Sequence, residues 1–508
     1  MAWLALGMSG EAAAQAVLPV LLDDGPIHGQ QLGDIESYRG IPYAAPPVGQ
    51  LRWQPPRRPK AWRTPVVADS YRSQCAQNAD LGVFGKPGGS EDCLYLNVFV
   101  PEHASGEHLP VFVWIYGGSL LVGAADDYDP MQMAREGKAV VVTFNYRVGL
   151  FGFFAHPELA KGKDPTGNYG LMDQQFALDW VQRNIARFNG DPTRVTIAGE
   201  SSGGNSVLAH MVAPGSAGKF RTGIAMSGAA AALNYPRFGS LIPLSDALAK
   251  GVDFAKAANC EGKGIACLRA LSTAQVLEKF RPFASVRPII DGKTLPISFN
   301  DAFRSGRFNK ATLIQGSTRD EANFFVGLGE QGGAVPMDRE AWVKTMTGYF
   351  GEEIAQSVMR EYPIDRFENP SEAYTAAVTD YFFACPALAT NRMIGNQAPV
   401  FAYEFADRTA PSYLKPTSFP QAAYHTSELQ YLFPGFHGGA GLPVSLNARQ
   451  NALSSAMIKV WAQGEANWPR FDAAKDNVMT FDLAGPRLQE GKFRKAHHCD
   501  FWDAAGVY

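Results

Sequence analysis

Residues 194–204 read Arg-Val-Thr-Ile-Ala-Gly-Glu-Ser-Ser-Gly-Gly. The run 194–198 is β-branched and apolar, the composition of a buried strand. It passes at once into Gly199-Glu200-Ser201-Ser202-Gly203, a G-x-S-x-G pentapeptide, and an apolar helical stretch begins near Val207-Leu208. A serine between glycines at a strand-to-helix turn is the pattern of a nucleophile elbow. The turn is strained and crowded, and it leaves the serine Oγ exposed above a helix N-terminus whose N–H groups can hold an oxyanion. The competing reading is an ordinary glycine-rich β–α turn.

The chain around this stretch has 508 residues, 46% hydrophobic and 19% charged, enough to bury a large core. Length alone corresponds to about three domains, although one α/β unit can reach this size. A net charge of −3 argues against nucleic acid or an anionic membrane surface as partner. No apolar run approaches the ~18 residues of a membrane span. Residues 1–16 are short of a basic segment, but Ala14-Gln15-Ala16 fits a cleavage site, so they read either as part of a secretory leader or as a frayed tail. Six cysteines, an even number, fit disulfides in an oxidising compartment, and the lack of C-x-x-C spacing argues against zinc. The one candidate sequon, Asn369-Pro370-Ser371, is excluded by its proline.

Along the chain, 17–36 reads as a small hairpin broken at Asp23-Asp24-Gly25, and the proline-rich 39–56 as ordered but irregular. Continuous apolar runs at 111–116 and 139–144 read as strands covered on both faces. Residues 224–228, 312–316 and 400–405 are further strand candidates, and 173–188 is a helix ended by Gly190-Asp191-Pro192. Strands alternating with helices predict an α/β fold, a mostly parallel sheet with helices on both faces. Amphipathic helices at 245–258, 272–280, 339–350, 371–383 and 446–463 read as insertions on one domain spanning 17–508 rather than as separate domains.

A serine nucleophile needs a base, and the base an orienting acid. In elbow folds the chain order is Ser, then Asp or Glu, then His. Of nine histidines, that order leaves His425, His437, His497 and His498. His425 follows the 400–405 strand and precedes apolar 429–433, with Glu428 one helical turn on and in position to help hold the ring. His437, in F-H-G-G-A-G, reads as a surface loop, and His497-His498 as surface residues rather than metal ligands. For the acid, Asp320 and Glu321 both follow the 312–316 strand, and spacing does not choose between them. Backbone N–H groups of Gly118 and Ser119, after the 111–116 strand, together with that of Ser202, are the candidate oxyanion donors.

Taken together, these residues resemble the type-B carboxylesterase/cholinesterase family of α/β-hydrolases over almost the whole chain. R-G-I-P-Y-A-A-P-P-V-G-Q-L-R-W (39–53), E-D-C-L-Y-L-N-V (91–98) and G-E-S-S-G-G (199–204) are similar to its signatures, and N-Y-R-V-G (145–149) and G-N-Y-G-L-M-D-Q (167–174) are family-like. The resemblance implies Ser201 as nucleophile, Glu321 as acid and His425 as base, with Glu321 chosen because the family pattern is D-E-G where this chain has Asp320-Glu321-Ala322. It implies disulfides Cys75–Cys93, Cys260–Cys267 and Cys385–Cys499, and ion pairs Arg52–Glu91 and Arg147–Asp173. With every cysteine paired, an exported protein is expected. Ser119 departs from the family's Gly or Ala. A cholinesterase-type cation site is not expected, because 76–92 contains no tryptophan. Phe324 and Phe325 keep an aromatic wall, and the small side chains at 229–232 read either as a roomy acyl side or as packing against the sheet.

The expected chemistry is two-step hydrolysis of a small-molecule ester through an acyl-enzyme on Ser201, with no cofactor or metal. Glu200, beside the nucleophile, is expected in the substrate pocket, raising the pKa of His425. The chain is expected as a monomer or homodimer. Competing readings are a lipase, an amide or carbamate hydrolase, and a non-catalytic binding protein of the same family, the last disfavoured by the presence of Ser201, Glu321 and His425.

Overall fold

The computed structural model describes residues 19–78, 81–102, 106–228, 241–280 and 286–506. The segments 1–16 and 229–232, on which the expectations of a leader and of a roomy acyl side rest, lie outside the described residues.

An 11-stranded sheet organises the chain. In chain order its strands are β1 (Gln30–Leu32), β2 (Ile35–Pro42), β3 (Tyr95–Pro101), β4 (Leu109–Ile115), β5 (Val140–Phe144), β6 (Gly190–Glu200), β7 (Thr222–Met226), β8 (Thr312–Thr318), β9 (Val400–Phe405), β10 (Asn477–Phe481) and β11 (Arg487–Glu490). Their spatial order is β11-β10-β9-β8-β7-β6-β4-β5-β3-β2-β1. From β5 to β10 every neighbouring pair is parallel; the two ends are antiparallel. Every residue of β4, β5 and β7 is buried, as expected where helices cover both faces of a parallel sheet. This is the α/β-hydrolase architecture, with helices on both faces.

The hairpin expected at 17–36 forms, with Val20–Leu21 pairing antiparallel to Pro26–His28. The proline-rich segment is less irregular than expected, since its first residues, Arg39 to Pro42, complete β2. β10 and β11 have no counterpart in the sequence reading. β11 is an exposed edge in which Leu488 is the single apolar residue, and one apolar position leaves no periodic signal. Three disulfides join the expected partners, Cys75–Cys93, Cys260–Cys267 and Cys385–Cys499. The buried pairs Arg52–Glu91 and Arg147–Asp173 also form. Arg147 places Nε and Nη2 2.7 Å from the two carboxylate oxygens of Asp173, a bidentate contact that compensates the desolvation of both charges.

Candidate active site

The elbow joins β6 to helix α1 (Ser202–Val212). Ser201 sits at φ 56°, ψ −122°, a region costly for a residue with a side chain. Its N–H donates to Met226 O at 2.9 Å, holding the turn against the end of β7. Gly203 is required here: a Cβ on it would lie 2.1 Å from Ile115 O, so only glycine lets α1 start this close to β4. A hydrogen-bonded chain supports the helix from behind. Ser206 Oγ donates to Ser202 O, Gln174 Nε2 donates to Ser206 Oγ, and Gln174 Oε1 is paired with His210 Nε2. Burial pushes the His210 imidazole down to about 3, so it stays neutral as part of that scaffold.

The turn after β4 supplies the other side. Gly118 has φ 104°, and a Cβ there would meet Val122 O at 2.4 Å. Ser119 and Leu120 follow at φ 56° and 59°, two successive non-glycine residues in left-handed conformation. The Leu120 N–H donates to Ser202 Oγ at 3.1 Å, latching this turn to the first residue of α1. Among the described residues, the N–H groups of Gly118, Ser119 and Ser202 donate to no protein acceptor.

Glu321 and His425 come from the loops after β8 and β9. His425 Nδ1 lies 2.5 Å from Glu321 Oε2, both side chains being buried. The other carboxylate oxygen, Oε1, accepts from Ser227 Oγ at 2.6 Å and from the Thr318 N–H at 2.8 Å. The carboxylate is therefore fixed by three partners. His425 Nε2 faces the opposite way and lies 3.1 Å from Glu200 Oε1, without hydrogen-bond alignment. Burial pulls the His425 pKa down, but the charges of Glu200 and Glu321 and the hydrogen bond from Glu321 outweigh it, and the net direction is up. Burial pushes the Glu200 carboxyl up to about 7, with His425 opposing and Glu321 adding to the shift.

Residues 16–502 match the Carboxylesterase family. The chain belongs to that family. It is 32% identical to an acylcarnitine hydrolase of Mus musculus, over 92% of this chain and 86% of that protein. It is 32% identical to a fumonisin B1 esterase of Sphingopyxis macrogoltabida, over 92% and 88%, and 31% identical to a para-nitrobenzyl esterase of Bacillus subtilis, over 90% and 93%. A solved thermophilic PNB esterase superposes with a TM-score of 0.80 at 28% identity, covering 95% of this chain and 99% of that one. The protein is a serine carboxylesterase, a hydrolase of carboxylic esters.

In the esterase, Ser201, His425, Gly118 and Ser119 border one cleft, with Phe324 and Phe325 among its apolar walls. The cleft encloses about 30 Å³. Phe324 is buried, whereas Phe325 is 41% exposed. The Phe325 ring centroid lies 5.0 Å from that of His425, and Phe383 approaches the same imidazole at 5.1 Å. Glu200, expected in the pocket, is completely buried and touches the imidazole from behind the cleft wall.

Two expectations need correction. Glu428 does not hold the His425 ring: it is fully buried and accepts from Tyr403 OH at 3.2 Å. The one-turn spacing misleads because Thr426 is at φ 75° and the segment is not helical there. His497 is not a surface residue. It is 4% exposed, with Nδ1 2.5 Å from Asp380 Oδ1 and Nε2 2.9 Å from Glu404 Oε1. His498 is partly exposed and pairs with Glu361 at 2.6 Å. Sequence reasoning missed Ser227, the hydroxyl of Ser202 and Phe383. Ser227 lies within the strand candidate 224–228, beside the acid loop, which was the available signal; Phe383 had none.

Proposed function

We propose that the esterase forms an acyl-enzyme on Ser201, with His425 as general base and Glu321 as the acid that orients it. The observation that carries this reading is the contact of His425 Nδ1 with Glu321 Oε2 at 2.5 Å, made by an imidazole that borders the same cleft as Ser201. With Nδ1–H donated to Glu321, Nε2 is the nitrogen left to accept the Ser201 proton. Ser201 Oγ then bonds to the ester carbonyl carbon as its proton passes to Nε2. The resulting oxyanion takes hydrogen bonds from the N–H groups of Gly118, Ser119 and Ser202, each worth ~3 kcal/mol in the barrier. The alkoxide leaves with the proton from Nε2, and water, deprotonated by the same nitrogen, releases the acid and restores Ser201. These steps call on no metal or cofactor.

The apolar, aromatic walls of the cleft favour neutral esters, and the run of small side chains at 229–232 in the sequence fits a roomy acyl side. The three disulfides and Ala14-Gln15-Ala16 support export, and we expect a monomer or homodimer acting alone. The test is a p-nitrophenyl ester series from acetate to palmitate, with matched anilides, on wild type and Ser201→Ala. Turnover by wild type alone, peaking below the long chains and exceeding the anilides, is expected. A peak at palmitate points to a lipase, and anilides cleaved as fast as esters to an amide hydrolase.

A further inference from the structure

Asp320 and Glu321 are adjacent carboxylates, and Glu321 is the one that reaches His425. Asp320 turns the other way and laces the acid loop to the base loop. Its N–H donates to Ala423 O at 2.9 Å, its Oδ2 accepts from the Ala423 N–H at 3.1 Å, and the His425 N–H donates to Glu321 O at 3.2 Å. Asn323 Nδ2 continues the seam, donating to the carbonyls of Pro420 and Gln421. Arg408, just beyond β9, closes it with Nε and Nη2 each 3.0 Å from the two oxygens of Asp320.

The base loop depends on such a seam. Ala422 and Thr426, flanking the segment that carries His425, have φ 56° and 75°. Neither is glycine, and residues held there persist only where their surroundings over-determine them. A bidentate guanidinium–carboxylate contact supplies direction as well as attraction.

We propose that Asp320 and Arg408 are positioning residues: their ion pair holds the base loop on the acid loop, so that His425 Nδ1 meets Glu321 and the ring stays at the cleft that Ser201 also borders. The proposal rests on the reading of Ser201, Glu321 and His425 given above. Arg408 is 62% exposed and borders a cavity of about 560 Å³ on the far side of the acid loop from the cleft. The clamp is thus reachable from solvent without touching the substrate's path.

That access supplies the test. Arg408→Ala, at an exposed position, is expected to fold and to lose about tenfold in kcat, within the range that small misplacements of reacting groups produce, with KM changed less than about twofold. Asp320→Asn is expected to lose more, since its amide would face Arg408. Added guanidinium ion, entering from the cavity, should restore part of the Arg408→Ala rate and none of the Asp320→Asn rate. The acid limb of kcat should move to lower pH in both variants. The charged groups facing His425 are Glu200 and Glu321, the other faces being the Phe324, Phe325 and Phe383 rings, and a looser Glu321 contact stabilises the protonated ring less. Wild-type kcat and pH profile in both variants overturn the clamp, as does a loss that appears equally in KM and is not restored by guanidinium. Fluorophosphonate labelling of wild type separates the levels: a labelled Ser201 with an unaffected Arg408→Ala overturns the clamp alone, while an unlabelled Ser201 overturns the reading beneath it as well.

Discussion

Nε2 of His425 lies 3.1 Å from Oε1 of Glu200, while Nδ1 of the same ring lies 2.5 Å from Oε2 of Glu321. One buried imidazole is therefore flanked by two buried carboxylates, and both favour its protonated form.

The pH dependence follows from this pair. With His425 as the proposed base, Nε2 must be unprotonated to accept the Ser201 proton, so activity is expected to fall as pH drops through the pKa of the ring. Burial lowers that pKa, and Glu200 and Glu321 more than restore it. Burial pushes the Glu200 carboxyl up to about 7, so the acid limb belongs to the coupled pair rather than to His425 alone. Removing the charge in Glu200→Gln should move the acid limb of kcat/KM to lower pH. It should also lower the plateau, about tenfold for each unit of lost stabilisation of the charged ring. A pH–rate profile of both proteins checks this, and superimposable profiles would mean that Glu200 does not act on His425.

A second prediction concerns the hydroxyl of Ser202. Its Oγ accepts from the Leu120 N–H and so holds Ser119 and Leu120 in left-handed conformation. Ser202→Ala keeps the backbone donor but leaves a buried N–H unpaired, a loss of about 1–3 kcal/mol, and frees the turn to relax. We expect kcat to fall about tenfold or more, with the affinity of a trifluoromethyl ketone falling in step, because both depend on the tetrahedral geometry. Loss of substrate binding with unchanged inhibitor affinity would contradict the latch.

His497 makes a stability prediction with a defined sign. Burial opposes its charge, but Asp380 and Glu404 raise its pKa to about 10. A folded-state pKa above the unfolded value of about 6.5 means stabilisation fully present below pH ~6.5 and lost as pH rises through about 10. His497→Gln should therefore destabilise by about 3–5 kcal/mol near pH 6, the cost of leaving buried charges without their partner. The difference from wild type should shrink towards pH 10. Denaturant midpoints at several pH values measure it, and a difference constant with pH would show that the ring is not charged.

The nucleophile side of the site was legible because its signals are local. β-branched residues, close glycines and an apolar helix sit within a few turns of Ser201, and local sterics impose that arrangement. The carboxylate that meets His425 was legible only through family resemblance, since Asp320 and Glu321 are adjacent after β8 and differ in which way the loop points them. Glu428 and His497 were misread for a common reason. Their surroundings are built from distant segments: His497 pairs with Asp380 and Glu404 across 117 and 93 positions, and no periodicity in the basic stretch 492–498 reports that. The central parallel strands announced themselves as apolar runs, whereas β11, exposed and with Leu488 as its one apolar residue, did not.

The central claim is that Ser201 carries the acyl group. The most direct measurement is peptide mapping by mass spectrometry after inactivation with a p-nitrophenyl phosphonate, run beside Ser201→Ala turnover. The account predicts a single stoichiometric adduct on the peptide containing Ser201, formed in step with lost esterase activity, and no measurable turnover by Ser201→Ala. An adduct on another residue, or a Ser201→Ala protein that hydrolyses p-nitrophenyl esters at nearly the wild-type rate, would contradict it.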